Sequence, residues 1–184
     1  MKILQYLFIS LSHKILKILP YRLIRLLSVP IGALYFLLTF RSSIKLFKRR
    51  KIFDKLKINY KPLIVKINYT RYWLETLWLT NKNFSKHITP HVEIENQEYV
   101  DKLKKQYPGL IFALPHLGNW EFAIPIGNSI KLNLLAVAEP LSNSYVLNWF
   151  KTLRESLGIE IIIGGKGQNT FELLVNKLKS GKDI

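Results

Sequence analysis

The residues best suited to chemistry are His116 and Glu121, which lie in the segment Pro115-His116-Leu117-Gly118-Asn119-Trp120-Glu121. Histidine exchanges a proton near neutral pH, so His116 can act as a general base. A carboxylate beside it could fix the imidazole tautomer and stabilise the imidazolium, as the aspartate of hydrolase triads does. The two residue types together therefore predict a proton-transferring dyad.

The spacing of the two residues decides whether the dyad can form. In an ideal helix an offset of five residues is about 140° around the axis, so the two side chains would not share a face. If Gly118 and Asn119 instead form a turn and a helix cap, His116 can fold back toward the first helical turn. Two plainer interpretations stay open. The histidine could be an ordinary hydrogen-bonded loop residue, and the glutamate could only offset the helix dipole.

Alternating strands and helices must position this pair. Short apolar runs predict buried strands at residues 110–114, 132–138 and 159–163. Helices are predicted at residues 119–129, bent by Pro125, at about 13 residues from a Ser142-Asn143-Ser144 cap to Gly158, and at 168–180, ended by Gly181. This alternation predicts an α/β fold with a mostly parallel sheet and flanking helices.

The position of His116 within that fold is informative. His116 directly follows the first predicted strand, and open α/β sheets bind ligands beyond the carboxyl ends of their strands. The final residues, Lys182-Asp183-Ile184, look like the start of a fourth strand. We therefore expect the chain to be truncated relative to a longer protein.

Charge divides the chain into two halves. The formal net charge is +16. Residues 1–92 contain 18 Lys or Arg and two acids, whereas residues 93–184 contain ten of each. An excess of this size indicates an anionic partner, and it lies entirely in the first half. The absence of cysteine excludes disulfides, thiolate zinc sites and a cysteine nucleophile.

The basic half also holds the most apolar stretch. Leu26 to Phe40 contains no charged residue, and a cluster of Arg41, Lys45 and residues 48–51 follows it. An apolar segment beside basic residues is typical of attachment to an anionic membrane surface. The segment could span the membrane or lie in the interface, and a buried helical hairpin is the alternative. We predict a membrane-associated segment at 1–42, a basic helical region at 43–92 and part of a catalytic domain at 93–184.

The order His-x-Gly-Asn-Trp-Glu after an apolar strand resembles the signature of the bacterial lipid A biosynthesis acyltransferases. These lauroyl and myristoyl transferases are grouped with mycobacterial phosphatidylinositol mannoside acyltransferases in the lysophospholipid acyltransferase superfamily. The segment Glu139 to Asn143, the pair Arg154 and Gly158, and the segment Arg71 to Glu75 are also similar to the family. The family continues well beyond the length of this chain and includes a later acidic motif.

The resemblance implies acyl transfer from an acyl carrier protein or coenzyme A thioester to a hydroxyl of an anionic membrane lipid, most simply a lipid A precursor. His116 would be the general base and Glu121 its orienting carboxylate. Arg154 would bind a phosphate, unless it is a helix residue paired near Glu155 or Glu160. Gly118, Asn119 and Asn143 are further candidate substrate contacts, with Asn119 alternatively only a helix cap.

The resemblance also implies a place and a set of partners. We expect the cytoplasmic face of a bacterial inner membrane, and neither a metal nor a cofactor. The acceptor could instead be a phosphatidylinositol mannoside or another glycolipid or phospholipid. A non-catalytic, membrane-anchored protein that binds anionic lipid is the main rival. Nucleic-acid binding is disfavoured because apolar residues run through the basic half.

Overall fold

The computed structural model describes residues 1–40, 55, 61–165 and 169–184. The basic cluster predicted at Arg41, Lys45 and 48–51 lies outside the described residues, as do all positions from 43 to 60 except 55 in the predicted basic helical region 43–92. The chain divides into two units, one of residues 1–12 with 80–184 and the other of residues 13–79.

The described part of the chain is mainly helical. Its eight α-helices are α1 (Lys2–Leu16), α2 (Tyr21–Leu38), α3 (Pro62–Trp78), α4 (Phe84–His87), α5 (Gln97–Gln106), α6 (Ala123–Ser129), α7 (Ser144–Ser156) and α8 (Thr170–Lys179). Single 3₁₀ turns occupy Thr89–His91 and Trp120–Phe122. The strands are β1 (Leu135–Ala138) and β2 (Glu160–Ile163).

The two strands form a small parallel sheet. β1 pairs with β2 from Leu135 opposite Glu160 to Ala138 opposite Ile163. On the other side of β1, Asp183 forms a parallel bridge with Leu134. The strands predicted at 132–138 and 159–163 are confirmed in shorter form. The architecture among the described residues is therefore a mixed helical fold with one parallel pair.

The buried strand predicted at 110–114 is wrong. The segment joins the sheet through only two described backbone hydrogen bonds, from Phe112 N–H to Ile184 O and from Ile184 N–H to Leu110 O, at 2.7 and 2.8 Å. Ile111 is 72% exposed and Leu114 is 58% exposed. An apolar run becomes a buried strand only when neighbours pair along it and cover both faces, and neither condition is met here.

The helices predicted around the sheet from capping and terminating residues are confirmed. The helix predicted at 119–129 begins as a 3₁₀ turn and continues as α6, which packs Ile124 against Ile159 and Ile161. Asn143 caps α7, and Gly158 just beyond its end adopts φ +91°. A residue with a side chain rarely adopts that conformation, so glycine is required to end the helix there.

Asp183 is a buried carboxylate that gathers several hydrogen-bond donors in the unit that contains the sheet. Its side chain is 0% exposed and accepts hydrogen bonds from three donors. Lys104 Nζ lies 2.9 and 2.7 Å from its two oxygens, Leu110 N–H donates at 3.1 Å, and Asn133 N–H donates at 2.8 Å. One buried carboxylate thus joins α5, the segment before His116 and the start of the β1 region.

We expect Asp183→Asn to lower the free energy of unfolding by about 1.5–3 kcal/mol, the range for hydrogen bonds to charged groups. The amide loses the charge that pairs with Lys104, and its NH₂ must face the N–H of either Leu110 or Asn133. Urea unfolding followed by tryptophan fluorescence measures the change. Asp101→Asn, at an exposed position of α5, is the matched control and should change the free energy by less than about 0.5 kcal/mol. Equal effects of the two substitutions would contradict this account.

In the unit of residues 13–79, α2 and α3 pack against each other in opposite directions. Tyr21 Oη donates to Glu75 Oε1 at 3.0 Å near one end, and Gly32 meets Ile67 further along. A Cβ on Gly32 would lie 2.6 Å from the Ile67 Cα, so only glycine permits this approach. Trp78 is fully buried and donates through Nε1 to Leu19 O at 2.9 Å.

Apolar side chains remain exposed on both N-terminal helices. On α1, Leu4, Phe8 and Leu11 are 60–73% exposed and share one face. Of the helices in the described ranges, α2 is the one that is long and apolar enough to cross a membrane, judged by length and composition. The predicted apolar N-terminal segment is therefore present as helices.

Candidate active site

A tight loop carries His116 into the 3₁₀ turn at Trp120. Leu117 N–H donates to Pro115 O at 2.8 Å. Gly118 then adopts φ +60°, and a Cβ there would meet nothing within 4 Å, so glycine suits this position because of its backbone conformation. The side chain of Asn119 accepts the Glu121 N–H at 3.2 Å. The interpretation of Asn119 as a helix cap is thereby confirmed.

His116 is exposed and rests on an aromatic ring. The imidazole and Trp120 indole centroids lie 4.2 Å apart, with the planes tilted by 56°. Among the residues that the structure describes, His116 makes no hydrogen bond to Glu121. The imidazole is therefore open to an incoming substrate. Its contact with Trp120 restricts the positions that the imidazole can adopt.

Glu121 is bound to Arg154, a pairing that the sequence analysis missed. The Glu121 residue is 1% exposed, and Arg154 contacts both carboxylate oxygens, with Nε 3.0 Å from Oε2 and Nη2 2.5 Å from Oε1. This two-pronged, charge-assisted geometry is the strongest form of the interaction. The alternative partner proposed for Arg154, Glu155, pairs instead with Lys151 at 3.7 Å.

Glu160, the other acid considered for Arg154, also has different partners. Lys177 Nζ and Lys182 Nζ lie 2.6 and 3.0 Å from its carboxylate oxygens. The hydrogen bond from Lys177, followed by that from Lys182, lowers the pKa of the Glu160 carboxyl below its usual value. Glu160 therefore anchors the beginning of β2 and takes no part in the candidate site.

The Glu121 carboxylate is buried, so its charge needs a partner. Arg154 compensates the charge of a carboxylate that would otherwise be buried alone. It also fixes the turn that carries Trp120, and Trp120 in turn supports His116. The link from Arg154 to His116 is therefore indirect and runs through Glu121 and Trp120.

Asn143 lies at the start of α7, where its side chain is fully engaged within the protein. Its Oδ1 accepts from Tyr145 N–H at 3.2 Å and Val146 N–H at 3.5 Å. Its Nδ2 donates to Lys2 O and Gln5 Oε1 at 2.9 and 3.0 Å. Asn143 therefore caps α7 and holds the beginning of α1.

The site residues are thus an exposed imidazole against an indole, with a buried carboxylate in the same turn that is paired with Arg154 of α7. Such an arrangement suits proton transfer to and from a substrate held at the surface of the loop. The residues described by the structure contain no group of three or more His, Asp or Glu placed to hold a metal ion.

Comparison with known proteins identifies the family to which the chain belongs. The model of the bacterial lipid A biosynthesis acyltransferase family matches residues 1–184. The chain belongs to this family. Two curated relatives are phosphatidylinositol mannoside acyltransferases. The one from Mycobacterium tuberculosis (strain CDC 1551 / Oshkosh) is 30% identical over 120 residues. The one from Mycolicibacterium smegmatis (strain ATCC 700084 / mc(2)155) is 28% identical over 121 residues.

Both of these matches cover 64% of this chain and 38% of the relative. The matched stretch of this lipid A acyltransferase family member therefore covers well under half the length of these curated relatives. Its family membership confirms the resemblance carried by the segment from His116 to Glu121. Family motifs identified Glu121 and Arg154 separately, but no local spacing signal links two residues 33 positions apart.

Proposed function

We propose that the protein is an acyltransferase that moves a fatty acyl chain from an acyl carrier protein or coenzyme A thioester to a hydroxyl of a membrane lipid. The observation that carries the proposal is the exposed His116 imidazole packed against Trp120, in the turn whose Glu121 is bound by Arg154. Membership of an acyltransferase family supports the reaction class.

In the proposed mechanism, His116 takes the proton of the acceptor hydroxyl as its oxygen attacks the thioester carbonyl. The carbon–oxygen bond forms and the carbon–sulfur bond breaks. The imidazolium then returns the proton to the departing thiolate, so the products are an ester and a thiol. In this proposal Glu121 orients the imidazole by accepting its second ring N–H, through a hydrogen bond that would form when substrate binds.

The remaining predicted site residues receive supporting roles in this proposal. Arg154 positions Glu121 in place of the predicted phosphate contact. Gly118 and Asn119 shape the loop along which the substrate would lie, and Asn143 holds the start of α7. No metal or cofactor enters the proposed reaction, because the attacking oxygen and the leaving sulfur both belong to the substrates.

We propose that the acceptor is a lipid A precursor and that the reaction takes place at the cytoplasmic face of a bacterial inner membrane. The exposed apolar faces of α1 and α2 support attachment to a membrane. The division into a membrane-associated segment (1–42), a basic region (43–92) and part of a catalytic domain (93–184) is retained as part of the proposal. The parallel pairing of β1, β2 and Asp183 supports an α/β sheet with flanking helices in that last domain.

A phosphatidylinositol mannoside or related glycolipid is the second candidate acceptor. The curated relatives cited above carry that name, at 28–30% identity. Both acceptors present a sugar hydroxyl near an anionic group, so the same His116 chemistry would serve either of them.

A transfer assay decides between these candidates. The purified protein, in its full natural length, is given a labelled acyl thioester on either carrier and three acceptors in turn: a lipid A precursor, a phosphatidylinositol mannoside and a lysophospholipid. Mass spectrometry identifies the product. We expect label on the lipid A precursor. Label on another acceptor would overturn the substrate but support the reaction class, and vesicle binding without transfer to any acceptor would support the non-catalytic rival.

A further inference from the structure

Asp183 and Ile184 lie in the sheet as a short piece of parallel strand. Each of them uses its backbone N–H and C=O on one side, Asp183 toward the β1 region and Ile184 toward the segment 110–114. The partners are Asn133 O and Leu135 N–H for Asp183, and Leu110 O and Phe112 N–H for Ile184, at 2.7–2.8 Å. These four backbone bonds join β1 to the segment that leads to His116.

The sheet has an open strand position past Ile184, between β1 and residues 112–114. The backbone bonds of a parallel strand recur at every second residue, and β2 takes the groups on the other edge of β1. The groups that come next on the two facing edges are Leu135 O, Val137 N–H, Phe112 O and Leu114 N–H. None of the four has a hydrogen-bond partner within residues 1–40, 55, 61–165 and 169–184. Two donors and two acceptors are therefore in place for a further strand.

Apolar side chains on both sides of the open strand position are exposed. Val137 is 44% exposed and Leu114 is 58% exposed, whereas Leu135, at the paired end of β1, is 2% exposed. Gly109, just before the segment 110–114, lies so close to the Lys182 carbonyl oxygen that a Cβ would clash with it. The segment is therefore closely packed where the short strand pairs with it and exposed where that pairing stops.

The backbone groups and the flanking side chains indicate what fits this position. Unpaired N–H and C=O groups along the edge of a strand are a template for pairing with another strand. The flanking residues, 112–114 and Leu135–Ala138, are all apolar. Strands with neighbours on both edges of a parallel sheet are themselves rich in Val, Ile and Leu. An extended, apolar stretch of polypeptide therefore matches both the hydrogen-bonding groups and the surroundings.

We propose that the open strand position takes one extended, apolar polypeptide strand, in line with Ile184 and parallel to β1. Ile184 sets the direction and the register of this strand, because its own N–H and C=O are already paired with the segment 110–114. The strand would accept the N–H of Leu114, two residues before His116. It would thereby also hold the segment that carries the proposed general base. This pairing does not depend on the proposed reaction and can be measured without acyl transfer.

Amide hydrogen exchange tests the pairing in the whole chain. Two forms of the chain carry five residues appended after Ile184, Val-Thr-Val-Thr-Val in one and Val-Pro-Val-Thr-Val in the other. In the first form, exchange at the N–H of Leu114 and of Val137 should slow at least about tenfold relative to the unextended chain, the effect of one net hydrogen bond. The proline removes the N–H that would meet Phe112 O, so Leu114 N–H should stay within about twofold of its rate in the unextended chain.

The N–H of Leu135, which already donates to Asp183 O, reports whether each form is folded. If the first form loses protection there, Thr-Val-Thr-Val-Thr supplies the same backbone groups with the two side-chain faces exchanged, and Thr-Pro-Thr-Val-Thr is its control. Equal exchange of Leu114 N–H with the strand and with its proline control would overturn the proposal. Slow exchange of Leu114 and Val137 in the unextended chain, increasing with protein concentration, would assign the position to a second copy and overturn the strand in line with Ile184.

Discussion

His116→Ala is expected to reduce acyl transfer about 10²- to 10⁴-fold, the range over which a positioned general base accelerates proton transfer. The loss should fall on kcat, because the imidazole acts on the hydroxyl during bond formation and contributes little to holding the lipid. Stability should hardly change, since the side chain is exposed and its described contact is the Trp120 ring.

The matched control for this prediction is His91→Ala. His91 is exposed, belongs to the same unit and lies outside the loop that bears His116. The control should transfer the acyl chain at the rate of the unchanged protein. If His116→Ala retains near-normal turnover of a labelled acyl thioester, the proposed mechanism is incorrect, whatever the acceptor lipid is.

Glu121→Ala is expected to lower the free energy of unfolding by about 3–5 kcal/mol, the range for removing one partner of a buried ion pair. Arg154, whose side chain is 23% exposed, would be left without its carboxylate, and the turn that carries Trp120 would lose its anchor. Glu155→Gln disrupts an exposed pair with Lys151 and should change the free energy by no more than about 0.5 kcal/mol. Urea unfolding measures both.

A double variant separates the structural role of Glu121 from its proposed action on His116. Replacing a buried ion pair with apolar residues of similar size is often neutral or stabilising. Glu121→Leu combined with Arg154→Met should therefore regain most of the lost stability. Transfer should nevertheless remain low, because the imidazole has lost the carboxylate proposed to orient it. A double variant that recovers both stability and transfer would show that Glu121 only supports the fold.

Features that depend on nearby residues were predictable from the sequence. Asn143 before a helix and Gly158 after it marked both ends of α7, since caps act through bonds within one or two turns. The apolar runs at β1 and β2 were recognised for the same reason. The segment 110–114 has an equally apolar run and still forms no strand, because its described backbone pairing is limited to two hydrogen bonds with Ile184.

The contacts that define the candidate site depend on residues far apart in sequence. The histidine, the glutamate and the arginine were each identified, but the pairing of Glu121 with Arg154 was not. The sequence indicates Asp183 only as part of a short strand, although its carboxylate accepts hydrogen bonds from Lys104, Leu110 and Asn133. Composition shows that an acid is present and does not show which distant donors surround it.

The position of Asp183 has a consequence for how the protein is made. The donors that it gathers at Lys104, Leu110 and Asn133 all leave the ribosome well before it does. Until Asp183 emerges, the stretch leading to His116 lacks the carboxylate that accepts the Leu110 N–H. The loop between Leu110 and Asp183 is long, and a long loop closes slowly. The Leu110 end of this stretch is therefore secured late during synthesis, after β2 and α8 have emerged.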